Sequence, residues 1–316
     1  MNPAASVIVF TTAAGVAQGL AVGLSLAVLT SIQVSGAALH VGVGLSVALL
    51  LLGLVASFWH LGHPMRAWRA VAMWRTSWLS REVIVLPALL LVLGFWWVLP
   101  WWSPAAFVHP PLHAVPVLVI VLSALLWLCT AQIYACLRFI QEWSHPLTLV
   151  NYTLMGLSSG FILCCALAAG WRQPELLQFV APWALTLTFA AWAAKTAALL
   201  RNATLKHRST AQSATGIQSR PLLQKSMGMS AGAFNTREFF HGVSLRVMLH
   251  IRWSVHLLAF ALPIAIMLWL RGDGLWSDSL WWWAVVGLQL PGILAERWLF
   301  FAQARHPQNL YYQVVS

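Results

Sequence analysis

The stretch His60–Glu82, HLGHPMRAWRAVAMWRTSWLSRE, separates two long apolar runs and decides the class of fold. Four arginines, two histidines and one glutamate gather in it. The runs on either side, near 38–60 and 80–100, are almost free of charge. A helix that crosses a bilayer needs about 20 consecutive, mostly apolar residues. Two such runs joined by a short charged segment read as two membrane helices and the loop between them.

Working outward, six further runs have the same character, near 5–32, 113–138, 149–171, 179–200, 250–270 and 280–302. All are long and continuous, unlike the alternating segments of about 10 residues that build a membrane barrel. The expected fold is therefore all-α, a polytopic bundle of eight transmembrane helices forming one domain over 1–316. Composition agrees: 60% of the 316 residues are hydrophobic and 8% charged, against about 25% charged in a soluble domain. The opening MNPAASVIVF lacks a basic segment followed by a cleavage site, so it reads as the start of the first span rather than a removable signal. Cys129, Cys136, Cys164 and Cys165 fall in apolar runs without CxxC spacing, and read as packing residues.

The net charge of +11 would suggest a nucleic-acid partner in a soluble protein. Here its distribution gives a different reading, with no nucleic acid. Four basic residues fall between the second and third spans and one after the fourth. Eight more fall between the sixth and seventh, and two at the C-terminal end. With eight spans these all share one face. The opposite face has Arg172 and Arg271, and Lys195 lies within a span. Basic loops are retained on the cytoplasmic side. The expected location is a bacterial cytoplasmic (inner) membrane, with both termini cytoplasmic.

Other features have simpler readings. Gly15, Gly19 and Gly23 form a small-residue ridge suited to close helix packing. Lys195 could snorkel to the interface or face a polar cavity. Residues 201–249 form a polar, basic segment. Its second half, with Phe234, Arg237, Glu238, Phe239, Phe240 and His241, reads as a contact surface for a partner or as a solvated loop.

Chemistry concentrates in the segment 60–82. His60 ends the second span and Glu82 opens the third, so both lie at one membrane edge. Ser80 is a candidate N-cap. In the plainer reading Glu82 complements the helix dipole and pairs with Arg81 or another loop arginine. The functional reading is proton handling at a quinone head group, ubiquinone or menaquinone. Such a group exchanges protons as well as electrons, and histidine and a partly desolvated carboxyl suit that exchange. Its candidate residues are His60 and Glu82, with Arg66, Arg81, His63 and Trp78 around them. Haem competes, but a b-type haem needs two facing histidines. His40, His60, His250 and His256 all lie towards helix ends, and none form a mid-membrane pair, so no haem is expected. A multi-helix transporter is the remaining alternative, although polar or broken helices at mid-membrane depth are not evident.

The run HLGHPMRAWRA…WRTSWLSRE and the end ERWLFFAQARHPQNLYY resemble the membrane-anchor subunit of the dimethyl sulfoxide reductase family. NPAASVIVFTTAAGVAQG and NTREFFH look closer to the anchors of cytoplasmic sulfite-oxidising complexes. The resemblance implies an anchor that holds an iron–sulfur subunit and a molybdopterin catalytic subunit at the membrane. It implies electron exchange with quinone, in the direction of sulfite oxidation or, for a reductase, of quinol oxidation. The family's quinol-site histidine and glutamate would fall on His60 and Glu82.

Overall fold

Eight helices with the length and apolar character to cross a bilayer occupy the expected runs. They are α1 (Ala5–Leu29), α2 (Gly36–Phe58), α3 (Trp78–Val98), α4 (Ala114–Ala135), α5 (Pro146–Gly170), α6 (Pro174–Ala203), α7 (Leu245–Gly272) and α8 (Ser279–Ala302). The structure is a computed structural model and describes residues 1–59, 61–102, 114–206, 208–218, 222–223, 225–226 and 240–307. No strand occurs among the described residues.

Helix starts differ from those expected because their caps lie further out than hydropathy suggests. Ser77, not Ser80, caps α3: its side chain accepts the Ser80 N–H at 3.3 Å. Trp78 and Leu79 thus belong to the helix, and Ser80 is buried. α5 and α6 begin at Pro146 and Pro174, since proline suits the first helical position, where its missing N–H costs nothing. His145 caps α5, its Nδ1 accepting the Leu147 N–H at 3.2 Å.

α1 and α5 are the most enclosed spans. They meet through glycine: a Cβ at Gly19 would overlap the Gly156 carbonyl, and one at Gly160 would overlap the Gly19 backbone. Gly15 and Gly23 make only ordinary contacts, so the close approach is centred on Gly19. α2, α4 and α6 pack beside this pair, α3 against α2 and α4, and α7 against α8. In α7, residues Val255–Ala261 widen into a π-helical turn. There α8 comes in at Gly292, where a Cβ would overlap the backbone nitrogen of Ala259. Gln289 Nε2 donates to the Ala259 carbonyl at 3.4 Å.

Because the spans alternate in direction, the α2–α3, α4–α5 and α6–α7 connections and the end of α8 lie on one face. This is the basic face. On the other, Gln33 and Ser35 backbone N–H groups donate to Glu175 Oε2 at 3.2 Å and Gln173 Oε1 at 2.8 Å, tying the α1–α2 turn to the α5–α6 turn. In the polar segment, Ala211–Thr215 makes one helical turn, capped by Thr210. Phe234, Arg237, Glu238 and Phe239 lie outside the described residues. His241 meets the Trp298 ring edge-on at 6.3 Å. Cys129, Cys164 and Cys165 are buried, but Cys136 is exposed. It sits one residue beyond the end of α4, where no neighbouring span covers it.

Candidate functional site

The loop preceding α3 contains the 3₁₀ helix Pro64–Met73. His63 and Arg66 are exposed on it, and His60 lies outside the described residues. Arg81 turns back to the loop rather than towards Glu82. Its Nε and Nη2 donate to the Trp74 and Arg75 carbonyls, each at 2.9 Å, and its guanidinium lies 4.1 Å from the centre of the Trp78 ring. Arg81 and Trp78 therefore close the lower edge of the loop.

Glu82 faces the opposite way. It is 5% exposed, and the Thr130 hydroxyl of α4 donates to its Oε1. Among the described residues no cation lies within ion-pair distance of it. The plainer sequence reading, a carboxylate paired with Arg81 or another loop arginine, is corrected here. One residue decides the difference: at the helix start, 81 faces the loop and 82 faces α4. The carboxyl that results is withdrawn from water and hydrogen-bonded on one side, while still only one helical turn below the loop.

A second polar cluster lies in the same half of the bundle. Lys195 Nζ of α6 pairs with Glu296 Oε1 of α8 at 2.5 Å, and Arg297 pairs with Glu296 Oε2. Lys195 and Arg297 are 2% exposed and Glu296 is fully buried. Snorkelling of Lys195 is thus excluded: its partner lies across the bundle, not at the interface. Arg297 also stacks on Tyr152 of α5, 4.0 Å from the ring centre. The other helical histidines do not pair with one another. His40 stacks on Trp97 at 5.5 Å, His250 Nδ1 lies 2.6 Å from the Arg246 carbonyl, and His256 Nδ1 accepts from Trp192 Nε1 at 2.9 Å.

Between Glu82–Thr130 and Arg297 lies a small cavity of about 20 Å³, bounded by α1, α4, α5 and α8. Gln18, Thr12, Trp127, Thr130, Tyr152 and Arg297 are among the residues that line it. Among the polar atoms of its lining residues, Arg297 Nη2 has its ion-pair contact with Glu296, and Thr12 Oγ1, Gln18 Oε1, Trp127 Nε1 and Tyr152 Oη have no hydrogen-bond partner within the protein. A buried polar group left in that state costs about 1–3 kcal/mol. Gly156 makes room for the indole N–H, since a Cβ there would lie 2.7 Å from Trp127 Nε1.

Sequence reading singled out neither Thr130, Gln18 nor the Glu296–Arg297 pairing. One signal was available: the spans hold few ionisable residues, and Lys195 and Glu296 carry opposite charge at similar distances from the basic face. Thr130 and Gln18 carried no such signal, because a single threonine or glutamine in an apolar helix is ordinary.

Comparison with known proteins places this arrangement. Residues 1–262 match the DMSO reductase anchor subunit (DmsC) family. The chain belongs to this family. A sulfite dehydrogenase subunit of Allochromatium vinosum is 45% identical over 333 aligned positions that cover all of both chains. A DMSO reductase-type anchor is one component of a multi-subunit oxidoreductase, so catalytic partner subunits are implied. Membership in the anchor family also replaces the transporter alternative. Within an anchor of this family, the inward-facing Glu82 and the buried ion cluster are polar features that membrane insertion alone does not require.

Proposed function

We propose that this anchor is the quinone-reactive subunit of a molybdopterin and iron–sulfur oxidoreductase in a bacterial inner membrane. Its basic face, with both termini, is cytoplasmic and docks the iron–sulfur subunit, which in turn carries the catalytic subunit. The observation that carries the reading is Glu82, buried and hydrogen-bonded to Thr130 one turn below the loop. A quinone takes up two electrons and two protons, or releases them in reverse.

The residues suit such a head group. The interior cavity of about 20 Å³ is far too small for one, given the 300–1,000 Å³ or so of ordinary ligand pockets. The head group would therefore meet Glu82 from the loop side. Glu82 would exchange a proton with a ring oxygen, while Thr130 holds the carboxyl in place. His60 would serve the second ring oxygen, and Trp78, with Arg81 above it, would wall the loop edge. His63 and Arg66, exposed on the loop, suit docking of the partner or lipid head groups better than contact with the ring.

The relative's name favours sulfite as electron donor, and quinone would then be the acceptor. The family description equally fits a reductase that oxidises quinol. The same carboxyl serves either direction. Identification of the co-purifying large subunit separates the two. For the site itself, Glu82→Gln and His60→Ala should each lower quinone-linked turnover at least tenfold, while electron transfer from the soluble subunits to a dye is retained. Wild-type quinone turnover in both variants would refute the site.

A further inference from the structure

The cavity between the two polar clusters has the size and chemistry of a binding site for a single water molecule. One water needs roughly 10–15 Å³ and two to four polar partners. The cavity offers about 20 Å³. It also offers four buried groups without hydrogen-bond partners in the protein: the Gln18 carbonyl oxygen, the Thr12 and Tyr152 hydroxyls and the Trp127 N–H. The last is a donor only, so the lining presents both kinds of hydrogen-bonding group. Gln18 is held in place from its other end, Nε2 donating to the Ala14 carbonyl at 2.9 Å, which leaves its oxygen free for the cavity. Thr130 uses its single proton on Glu82 and retains acceptor capacity on the cavity side. Arg297, at the far wall, leads to Glu296 and Lys195.

We propose that this cavity is a water site, and that its water joins the Glu82–Thr130 pair to the Arg297–Glu296–Lys195 cluster. Gln18 is then a positioning residue. It stands on α1 and acts through the water that fixes the Thr130 hydroxyl and, through it, the Glu82 carboxyl. The inference deepens the role proposed for Glu82 and rests on it only for its effect on turnover.

X-ray radiolytic labelling of the intact complex in H₂¹⁸O tests the water directly. Met155, Trp127 and Tyr152 line the cavity but are buried from solvent. A resident water should label them several-fold more than the buried Trp96 and Trp282, which are not part of the lining, and Gln18→Leu should abolish the excess. Infrared difference spectra test the linkage. The Glu82 bands, identified by their loss in Glu82→Gln, should shift in Gln18→Leu and in Thr130→Val, and stay in place in Thr130→Ser. Quinone-linked kcat should fall about tenfold in Gln18→Leu at unchanged KM, with dye-linked activity retained. Labelling no greater than at Trp96 and Trp282 overturns the water site. Unshifted bands or a wild-type kcat in Gln18→Leu overturns the positioning role. The site proposed for Glu82 fails only if Glu82→Gln itself turns over quinone normally, so the two failures are told apart. Thr130→Ser, which retains the hydroxyl, guards against loss of fold in Thr130→Val.

Discussion

At the scale of single residues, the ion cluster makes an asymmetric prediction. Glu296 is shared by two cations, Lys195 and Arg297. Glu296→Gln would leave two buried positive charges without a counter-charge, and breaking a buried pair in this way costs about 3–5 kcal/mol. Lys195→Met removes one cation and leaves a neutral Arg297–Glu296 pair. The expected order of thermal stability for the purified complex is therefore wild type, then Lys195→Met, then Glu296→Gln. Equal damage from the two substitutions would mean that the charges do not balance as described. The same residues show what the amino-acid sequence conveyed. Lys195 was visible as an anomaly in an apolar run. Its partner was marked only by opposite charge at a similar distance from the basic face, because Glu296 lies 101 positions away and the pairing itself depends on the placing of α6 near α8.

At the scale of elements, the α1–α5 contact depends on the absence of side chains. Gly19→Ala would place a methyl group against the Gly156 carbonyl. Neither backbone can withdraw without moving a whole span, and overpacking of a well-packed interior typically costs about 1–3 kcal/mol. Gly94→Ala, where a Cβ meets nothing within 4 Å, is the matched control. Gly19→Ala should reduce the amount of assembled complex in membranes and lower its melting temperature, while Gly94→Ala leaves both unchanged. The glycine ridge was legible from its spacing. Which glycine bears the contact was not, since that is settled by where Gly156 and Gly160 lie on the facing helix. The start of α3 shows a similar division. Hydropathy located the span, yet the choice between Ser77 and Ser80 as cap, and with it the direction in which Glu82 points, depends on a single turn of helix.

At the scale of the whole molecule, the number of spans and the all-α class follow from long apolar runs and are the most legible part of the fold. The sharing of one face by the charged connections follows from counting. It predicts that reporters fused to the C-terminus, or inserted in the α2–α3 loop, read as cytoplasmic, and that one in the α5–α6 turn reads as periplasmic. A periplasmic reading at the C-terminus would contradict the arrangement. The interior was the least legible part. Thr130, Gln18 and Arg297 come from three helices, and no period within any one of them marks the cavity that they line.

The depth of Glu82 has an electrical consequence. It stands four residues into α3, which is about 6 Å along the helix axis in a hydrocarbon core of about 30 Å. A unit charge carried across a whole membrane at 100 mV exchanges about 2.3 kcal/mol with the field. A proton delivered to Glu82 from the basic face crosses about one fifth of that drop, or about 0.5 kcal/mol. Quinone-linked turnover in sealed vesicles should therefore change no more than about twofold when a potassium diffusion potential of about 100 mV is imposed. A steep voltage dependence would mean that protons reach the carboxyl from the opposite side. Under the role proposed for Glu82, its shallow placement would make proton exchange at this anchor nearly independent of the energised state of the membrane.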